Sequence, residues 1–352
     1  MPIRSIRSVL KNKLLLGSII SLFLLFIFSF IFYNILLFVL FLIIFIFLLT
    51  YNFIKTTRKL YDTLGTRLML FITASVIFLF FLLLIVLING SIDILQDQSL
   101  SEIILSSTWK PFSGKFGLFA VIIDTLIVTA ISMLIAIPIS LLSAIYIAEY
   151  APKKFKNIIR PFIDVLAGVP SVVFGLCALL VFVPLIRDDI APFFGSNISS
   201  GFSIFTASLI LAIMVFPIII SLCIESFNSV PIELKEASLS LGATKWETVK
   251  KVILRASGPG VLAAIFLGFG RAFGETIAVS MVIGNQELIP KSLFGPGQTL
   301  ASLIASNYTE VSSIPILASA LIFVALLLFI VVLIFNLLGY FVLRGASKRW
   351  KY

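Results

Sequence analysis

Residues 260–284 read GVLAAIFLGFGRAFGETIAVSMVIG, a stretch apolar enough to cross a membrane but for Arg271 and Glu275. An arginine at mid-bilayer costs about 2.5–3.5 kcal/mol on insertion scales, so its presence there asks for a site. The four-residue spacing predicts guanidinium and carboxylate on one helical face, one turn apart and able to pair. Such a pair serves either as a structural lock between helices or as part of a water-lined path. In the second case a permanently charged, forked donor meets an oxyanion.

The chain around this stretch is of the same kind. Of 352 residues 60% are hydrophobic and only 12% charged, which indicates an all-α polytopic membrane protein rather than a soluble domain. Mean hydropathy is +1.19. A helix needs about 20 residues to cross the hydrocarbon core. Spans are predicted near 14–33, 35–54, 68–88, 118–148, 163–186, 204–226, 260–283 and 315–341. Their continuity disfavours a β-barrel, whose strands alternate in segments of about ten residues.

The net charge of +10 is informative through its distribution. Four Lys/Arg lie in 1–13, four in 55–67, four in 149–160, five in 227–259 and four in the tail from Arg344. The intervening loops hold only Lys110, Lys115, Arg187 and Lys291. This is the positive-inside pattern, so both termini are expected in the cytoplasm with an even number of spans. No nucleic-acid partner is required. Basic clusters flank both sides of the apolar run 14–54, so it is read as a tight helical hairpin turning near Tyr33-Asn34. A cleaved signal peptide fits less well, because the apolar run continues far beyond an ordinary h-region.

Cys177 and Cys223 fall within predicted spans without metal-like spacing and are read as buried small apolar residues. The absence of histidine removes the commonest metal ligand and the usual general base. No Walker A loop or dinucleotide fingerprint occurs, so nucleotide energy has to come from a partner. Gly168, Pro170 and Gly175 are expected to interrupt a span, exposing backbone N–H groups to an anion or serving close helix packing. Asp164, one turn after Arg160, is expected to form an interfacial pair.

Segment 227–259 reads as a compact projection between spans. Pro231 suits a first helical turn, Leu234, Ala237, Ser238 and Leu241 recur at helical spacing, and Gly242 offers a left-handed stop. Thr244 and Glu247 form a capping-box pattern, and Trp246, Val249, Val252 and Ile253 give a second stripe. Such a projection is either a plain connector or a docking element.

Glu236-Ala237-Ser238, Gly242 and Val252-Ile253-Leu254 resemble the EAA loop of ABC-importer permeases, which in that family is the coupling helix seated in the ATPase subunit. Ser238 replaces a usual alanine, and Arg255 stands where proline commonly follows. AEYAP at 148–152, LAGVPSVVFG at 166–175 and GRAFGETIAV at 270–279 further resemble the phosphate-import permeases, and MVIGN at 281–285 the PstC type among them. The resemblance spans roughly 110–345. One departure is Asp124-Thr125 where the family usually shows Gly-Thr.

The resemblance implies a type I ABC-importer permease fold with about six core helices in 68–345, after an N-terminal segment and extra hairpin in 1–67 and before a basic tail in 346–352. It implies a subunit, not an enzyme, that moves inorganic phosphate across the cytoplasmic membrane. Its implied partners are a PstA-type permease, two PstB-type ATPase subunits, an extracytoplasmic PstS-type binding protein and membrane lipids. No cofactor or metal is expected on this chain, ATP and Mg2+ being held by the ATPase subunits. Arg271, Glu275 and Thr276 are the candidate substrate-path residues. Glu236, Ala237, Ser238, Gly242 and Trp246 are the candidate coupling residues. Alternatives are a permease for sulfate or molybdate, and an ion-coupled secondary transporter. A membrane enzyme fits least, since no clustered acid, base and nucleophile appears.

Overall fold

The computed structural model describes residues 58–349 apart from 197–199, 291 and 311–314; the hairpin expected in 14–54 lies outside the described residues. The chain divides into two compact units at Leu82/Leu83. What is described of the first is the N-terminal part of α1, Arg58–Gly90. Its side chains, among them Met69, Ile72, Val76, Phe80 and Phe81, are exposed on every side. A helix apolar all round is at home in lipid, where its backbone bonds are satisfied within the segment.

The second unit is built on two long helices, α4 (Phe119–Ile145) and α7 (Ile204–Asn228), packed along their length. Before α4 come the short helices α2 (Ile92–Asp97) and α3 (Leu100–Leu105), then a two-stranded antiparallel hairpin, β1 (Trp109–Lys110) with β2 (Lys115–Phe116). The α4–α7 interface is made of small and branched residues such as Ala136, Ala144, Ala207, Ile210, Ala212 and Val215. Hydroxyl residues are buried there because they donate to their own helix: Thr125 to Val121 O at 2.7 Å, Ser132 to Thr129 O at 2.8 Å and Ser208 to Ile204 O at 2.7 Å. These bonds satisfy the three hydroxyls within an apolar layer, and small side chains let the backbones approach.

At the N-terminal end of α4 and α7 the segment 282–299 is stitched to both. Ser203, Ile204 and Phe205 donate their backbone N–H groups to Val282, Gly295 and Leu293, so the loop supplies acceptors that the first turn of α7 lacks. Asp124 is fully buried, and its Oδ2 accepts from Gln298 N at 2.8 Å. Thr125 Oγ1 accepts from Leu300 N at 2.9 Å at the start of α12, Leu300–Asn307. Asp124 thus acts as a clamp on the loop, a role for the departure from the family pattern that spacing does not reveal. Beside it, α13 (Pro315–Arg349) closes a second apolar cluster that includes Trp109, Phe116, Leu303, Leu317 and Val324. Ser319 Oγ ties α13 to Gly90 O at 2.7 Å and accepts from Ile94 N.

Three expectations are corrected here. The span predicted at 163–186 is two helices: α5 (Lys153–Gly168) ends at Gly168, Val169 and Pro170 are extended, and α6 (Ser171–Phe193) is the span. Pro170 disfavours helical geometry at Val169 and brings no N–H of its own. The span predicted at 260–283 is interrupted as well. Helix α9 (Lys245–Ala256) bends by 71° into α10 (Gly258–Gly274), which stops before the short α11 (Ile277–Ser280). Finally, Cys223 is buried but Cys177 is exposed on α6. Among the described residues five helices are long and apolar enough to cross a membrane, or six with the bent pair α9–α10.

The clamp makes a stability prediction. Asp124→Ala leaves the buried Gln298 N–H without its acceptor, which costs about 1–3 kcal/mol, whereas Asp124→Asn keeps an acceptor. Thermal unfolding of the detergent-solubilised protein, with hydrogen exchange at Gln298, should show a lowered midpoint and faster exchange for Asp124→Ala only.

Candidate functional site

Helix α10 reaches only part of the way along its neighbours. Phe273 packs on Phe335 of α13 with ring centroids 4.7 Å apart, Phe269 stacks on the same ring at 6.0 Å, and Gly339 lies over Phe266. The two helices are therefore antiparallel, and α10 ends beside the middle of α13. A second face lies on α7, where a Cβ on Gly268 would come within 2.9 Å of Ile219 Cδ1. The face left open carries Ala263, Leu267, Arg271 and Gly274, all exposed.

Arg271 sits in the last turn of α10, where the negative end of the helix dipole favours a cation. The expected pairing with Glu275 is not formed. Gly274 is the last helical residue, and Glu275 is extended at ψ 119°, so the four-residue spacing no longer measures one helical turn. Glu275 Oε1 instead accepts from Ala278 N at 3.4 Å, near the start of α11. Thr276 Oγ1 donates to Gly274 O at 3.2 Å. The three candidate path residues therefore surround a helix break: a cation at one helix end, a carboxylate at the next and a hydroxyl between. No ion pair joins Arg271 to Glu275, so the guanidinium presents its donors on the open face.

Gly168 and Pro170 flank the α5–α6 break. Gly175, expected to interrupt the span, lies inside the helix and is buried. A Cβ there would come 2.6 Å from Met281 Sδ and 3.1 Å from Ala278 Cα, so glycine is needed for α6 to approach α11. Only beyond it, at Ala178–Phe182 and again at Ile186–Ile190, does α6 loosen into π-helical turns. The Arg160–Asp164 pair is not formed either; both line a cleft of about 110 Å3 with Ser221 and Glu225.

At the C-terminal end of α4 and α7 lies the projection 227–259. Helix α8 (Ile232–Ser240) is followed by Gly242 at φ 85°, a conformation that favours glycine. Thr244 then opens α9 with a complete capping box: its hydroxyl accepts from Glu247 N, and Glu247 Oε2 accepts from Thr244 N at 3.0 Å. The bonds that Thr244 N and the Thr244 hydroxyl donate to Glu247 Oε2 hold this carboxyl below its usual range, with a smaller contribution from Lys251. Of the stripe read at Leu234, Ala237, Ser238 and Leu241, only Ser238 is turned inward. Ile232, Leu234, Leu239 and Leu241 are exposed, Leu241 to 89%, while the inward positions are the polar Lys235 and Ser238. Ser238 Oγ lies 2.9 Å from Thr248 Oγ1 and ties α8 to α9. Glu236 and Ala237 are exposed, as is Trp246 at 50%. Leu234, Ala237 and Leu241 share one exposed side of a helix held to the protein by polar residues, an arrangement that suits docking.

Sequence reading overlooked the partners of this projection on α4. That helix runs on as a π-helical turn, Tyr146–Tyr150, and Lys235 Nζ donates to Glu149 Oε1 at 2.7 Å. A lone acid closing an apolar helix just before Ala151-Pro152 was the available signal. Lys156 Nζ donates to Ala148 O in the same turn, and burial pulls its ammonium below the ordinary lysine value against the attraction of Glu149. Among the described residues no group of three or more His, Cys, Asp or Glu is placed to hold a metal.

Comparison with known proteins places this arrangement. The family model for the binding-protein-dependent transport system inner membrane component matches residues 136–351. The phosphate transport system permease protein PstC of Xylella fastidiosa is 38% identical over 259 residues, covering 69% of this chain and 80% of the relative. The probable phosphate transport system permease protein PstC of Methanocaldococcus jannaschii is 32% identical over 298 residues, 80% of this chain and 93% of that protein. Among solved structures, a bacterial ABC transporter involved in the import of the acidic polysaccharide alginate matches 80% of this chain and 99% of its own, with a TM-score of 0.54 at 14% identity. The inward-facing MetNI methionine ABC transporter matches 68% of this chain and 99% of its own, with a TM-score of 0.52 at 19% identity. At these identities the structural likeness speaks for the fold alone. The bent α9–α10 pair and the projecting α8 both lie within the matched region, and the chain belongs to the family of inner-membrane components of binding-protein-dependent transport systems.

Proposed function

We propose that this chain is the permease subunit of an ATP-driven importer of inorganic phosphate. The observation that carries the path is that α10 ends beside the middle of α13 with Arg271 in its last turn and on its open face. A forked cation at a helix break inside a membrane layer suits a tetrahedral oxyanion, and broken helices are where transporters place such sites. The relatives from Xylella fastidiosa and Methanocaldococcus jannaschii are phosphate transport permeases, which agrees with that chemistry. Sulfate or molybdate would present a similar oxyanion, and the family resemblance of the Arg271 segment favours phosphate.

The open face of α10 is the side on which a PstA-type permease would complete the path. The outward apolar face of α8 would seat in one of two PstB-type ATPase subunits, which would hold ATP and Mg2+. A PstS-type binding protein would deliver phosphate to the opposite end, near the 282–299 loop. Clustering of Lys153, Lys154, Lys156, Lys235, Lys245 and Lys250 around the α8 end supports a cytoplasmic location for it, and with it cytoplasmic termini. An ion-coupled secondary transporter would have no use for an exposed helix held out before a glycine turn.

Labelled phosphate uptake by the reconstituted complex, with sulfate and arsenate as competitors, tests the reading. Arsenate should compete and sulfate should not; preferential sulfate transport would overturn the substrate assignment. Arg271→Gln should leave assembly intact and lower phosphate uptake about 10- to 100-fold, the loss expected for one charge-assisted contact of about 1.5–3 kcal/mol. Glu275→Gln keeps an acceptor for Ala278 N–H, so any fall in its uptake reports the charge and not the helix start.

Gly242→Val forces a β-branched residue into a left-handed turn. With the turn refolded, α8 should be misplaced, and ATPase docking or transport-linked hydrolysis should be lost while the spans remain inserted. Wild-type hydrolysis and uptake in this variant would end the coupling assignment.

A further inference from the structure

Ala148, Glu149 and Tyr150 are each held by a lysine from a different helix. Lys156 of α5 donates to Ala148 O, Lys235 of α8 donates to Glu149 Oε1 at 2.7 Å, and Lys245 of α9 sits 4.7 Å from the centre of the Tyr150 ring. Lys235 also donates to Phe227 O at 3.3 Å in the last turn of α7. Its ion pair with Glu149 joins segments 86 residues apart, with the two side chains only 16% and 13% exposed. The pairs Arg187–Asp188 and Lys251–Glu247, by contrast, each lie within one helix and are open to solvent.

We propose that the Glu149–Lys235 pair is a transmission strut: a pair of positioning residues that carries displacement of the α8–α9 projection into α4. The inference rests on the coupling role proposed for α8. A docked helix drives a span only through contacts that resist sliding. The outward face of α8 is given to docking, and its inward face offers Lys235 and Ser238. Ser238 is spent on Thr248, which makes α8 and α9 move together, and this leaves Lys235 to reach α4 and α7. A charge pair shielded from water and salt is stiff, since separating it strands two charges in a poorly solvated place.

The receiving end is built to respond. Tyr146–Tyr150 is a π-helical turn that closes with Ala151 N donating to Tyr146 O at 2.8 Å, and Pro152 follows. Such turns are local departures from α-helical register. From there α4 runs beside α7 as far as Asp124 and the 282–299 loop, so a push at Glu149 is delivered along the full depth of the unit.

The test uses the complete complex of both permeases, ATPase subunits and binding protein, reconstituted in vesicles. Glu149→Gln, Lys235→Met and Lys235→Arg are compared for assembly, ATP hydrolysis stimulated by loaded binding protein, and phosphate moved per ATP hydrolysed. The first two should assemble and hydrolyse ATP while phosphate moved per ATP falls at least about tenfold; Lys235→Arg, which keeps charge and reach, should stay near wild type. An unchanged ratio in Glu149→Gln and Lys235→Met would overturn the strut. So would joint loss of assembly and hydrolysis, which marks a static brace, or a Lys235→Arg ratio as low as that of Lys235→Met. Gly242→Val separates the two ideas: if it is impaired while Glu149→Gln keeps its ratio, the coupling role of α8 stands and the strut alone fails.

Discussion

A helix that stops within an apolar layer has to surround its own end with protein, because no lipid tail can donate to its last carbonyls. Helix α10 meets this constraint with three aromatic residues against α13, a glycine against α7 and a second short helix started near Glu275. Much of the second unit follows from it. The 282–299 loop returns the chain from the break and caps α7, and Asp124 fixes that loop. Arg271 is left at the negative end of a dipole, on the face the single chain does not cover.

The two ends of the α4–α7 pair are held by different physics. At one end the ties are backbone hydrogen bonds to a buried carboxylate and hydroxyl, neutral in shape and short in reach. At the other they are lysine side chains, long and flexible, gathered on three consecutive residues of a π-helical turn. The first kind fixes a loop in one place. The second reaches across to another helix and, where the charges are paired away from water, resists their separation.

Much of this was legible in the sequence where a local rule has one outcome. Gly242 and the Thr244–Glu247 box stand as spacing predicts, because a left-handed turn and a capping box need nothing beyond their own residues. Most of the spans were legible for the same reason. The Arg271–Glu275 pair was misread because four-residue spacing means one turn only while a helix continues, and Gly274 ends it. Gly175 was misread because a glycine at a helix contact and a glycine at a helix break look identical in a single chain. Which side of α8 turns inward is set by the long-range bonds of Lys235, which periodicity cannot contain. Asp124 hid for the same reason, since its partner lies far along the chain.

That distance bears on how the protein is made. Asp124 is separated by 174 residues from the backbone group that satisfies it, and Thr125 by 175 from its own. During synthesis α4 therefore enters the membrane carrying a carboxylate whose partner does not yet exist, and α5 to α11 must all be threaded before the clamp can close. The nascent chain passes through a long interval in which its central helix is inserted but uncommitted at one end. Quality control that recognises exposed polar groups within the bilayer has that interval in which to act, and the completion of residues 297–300 marks its close.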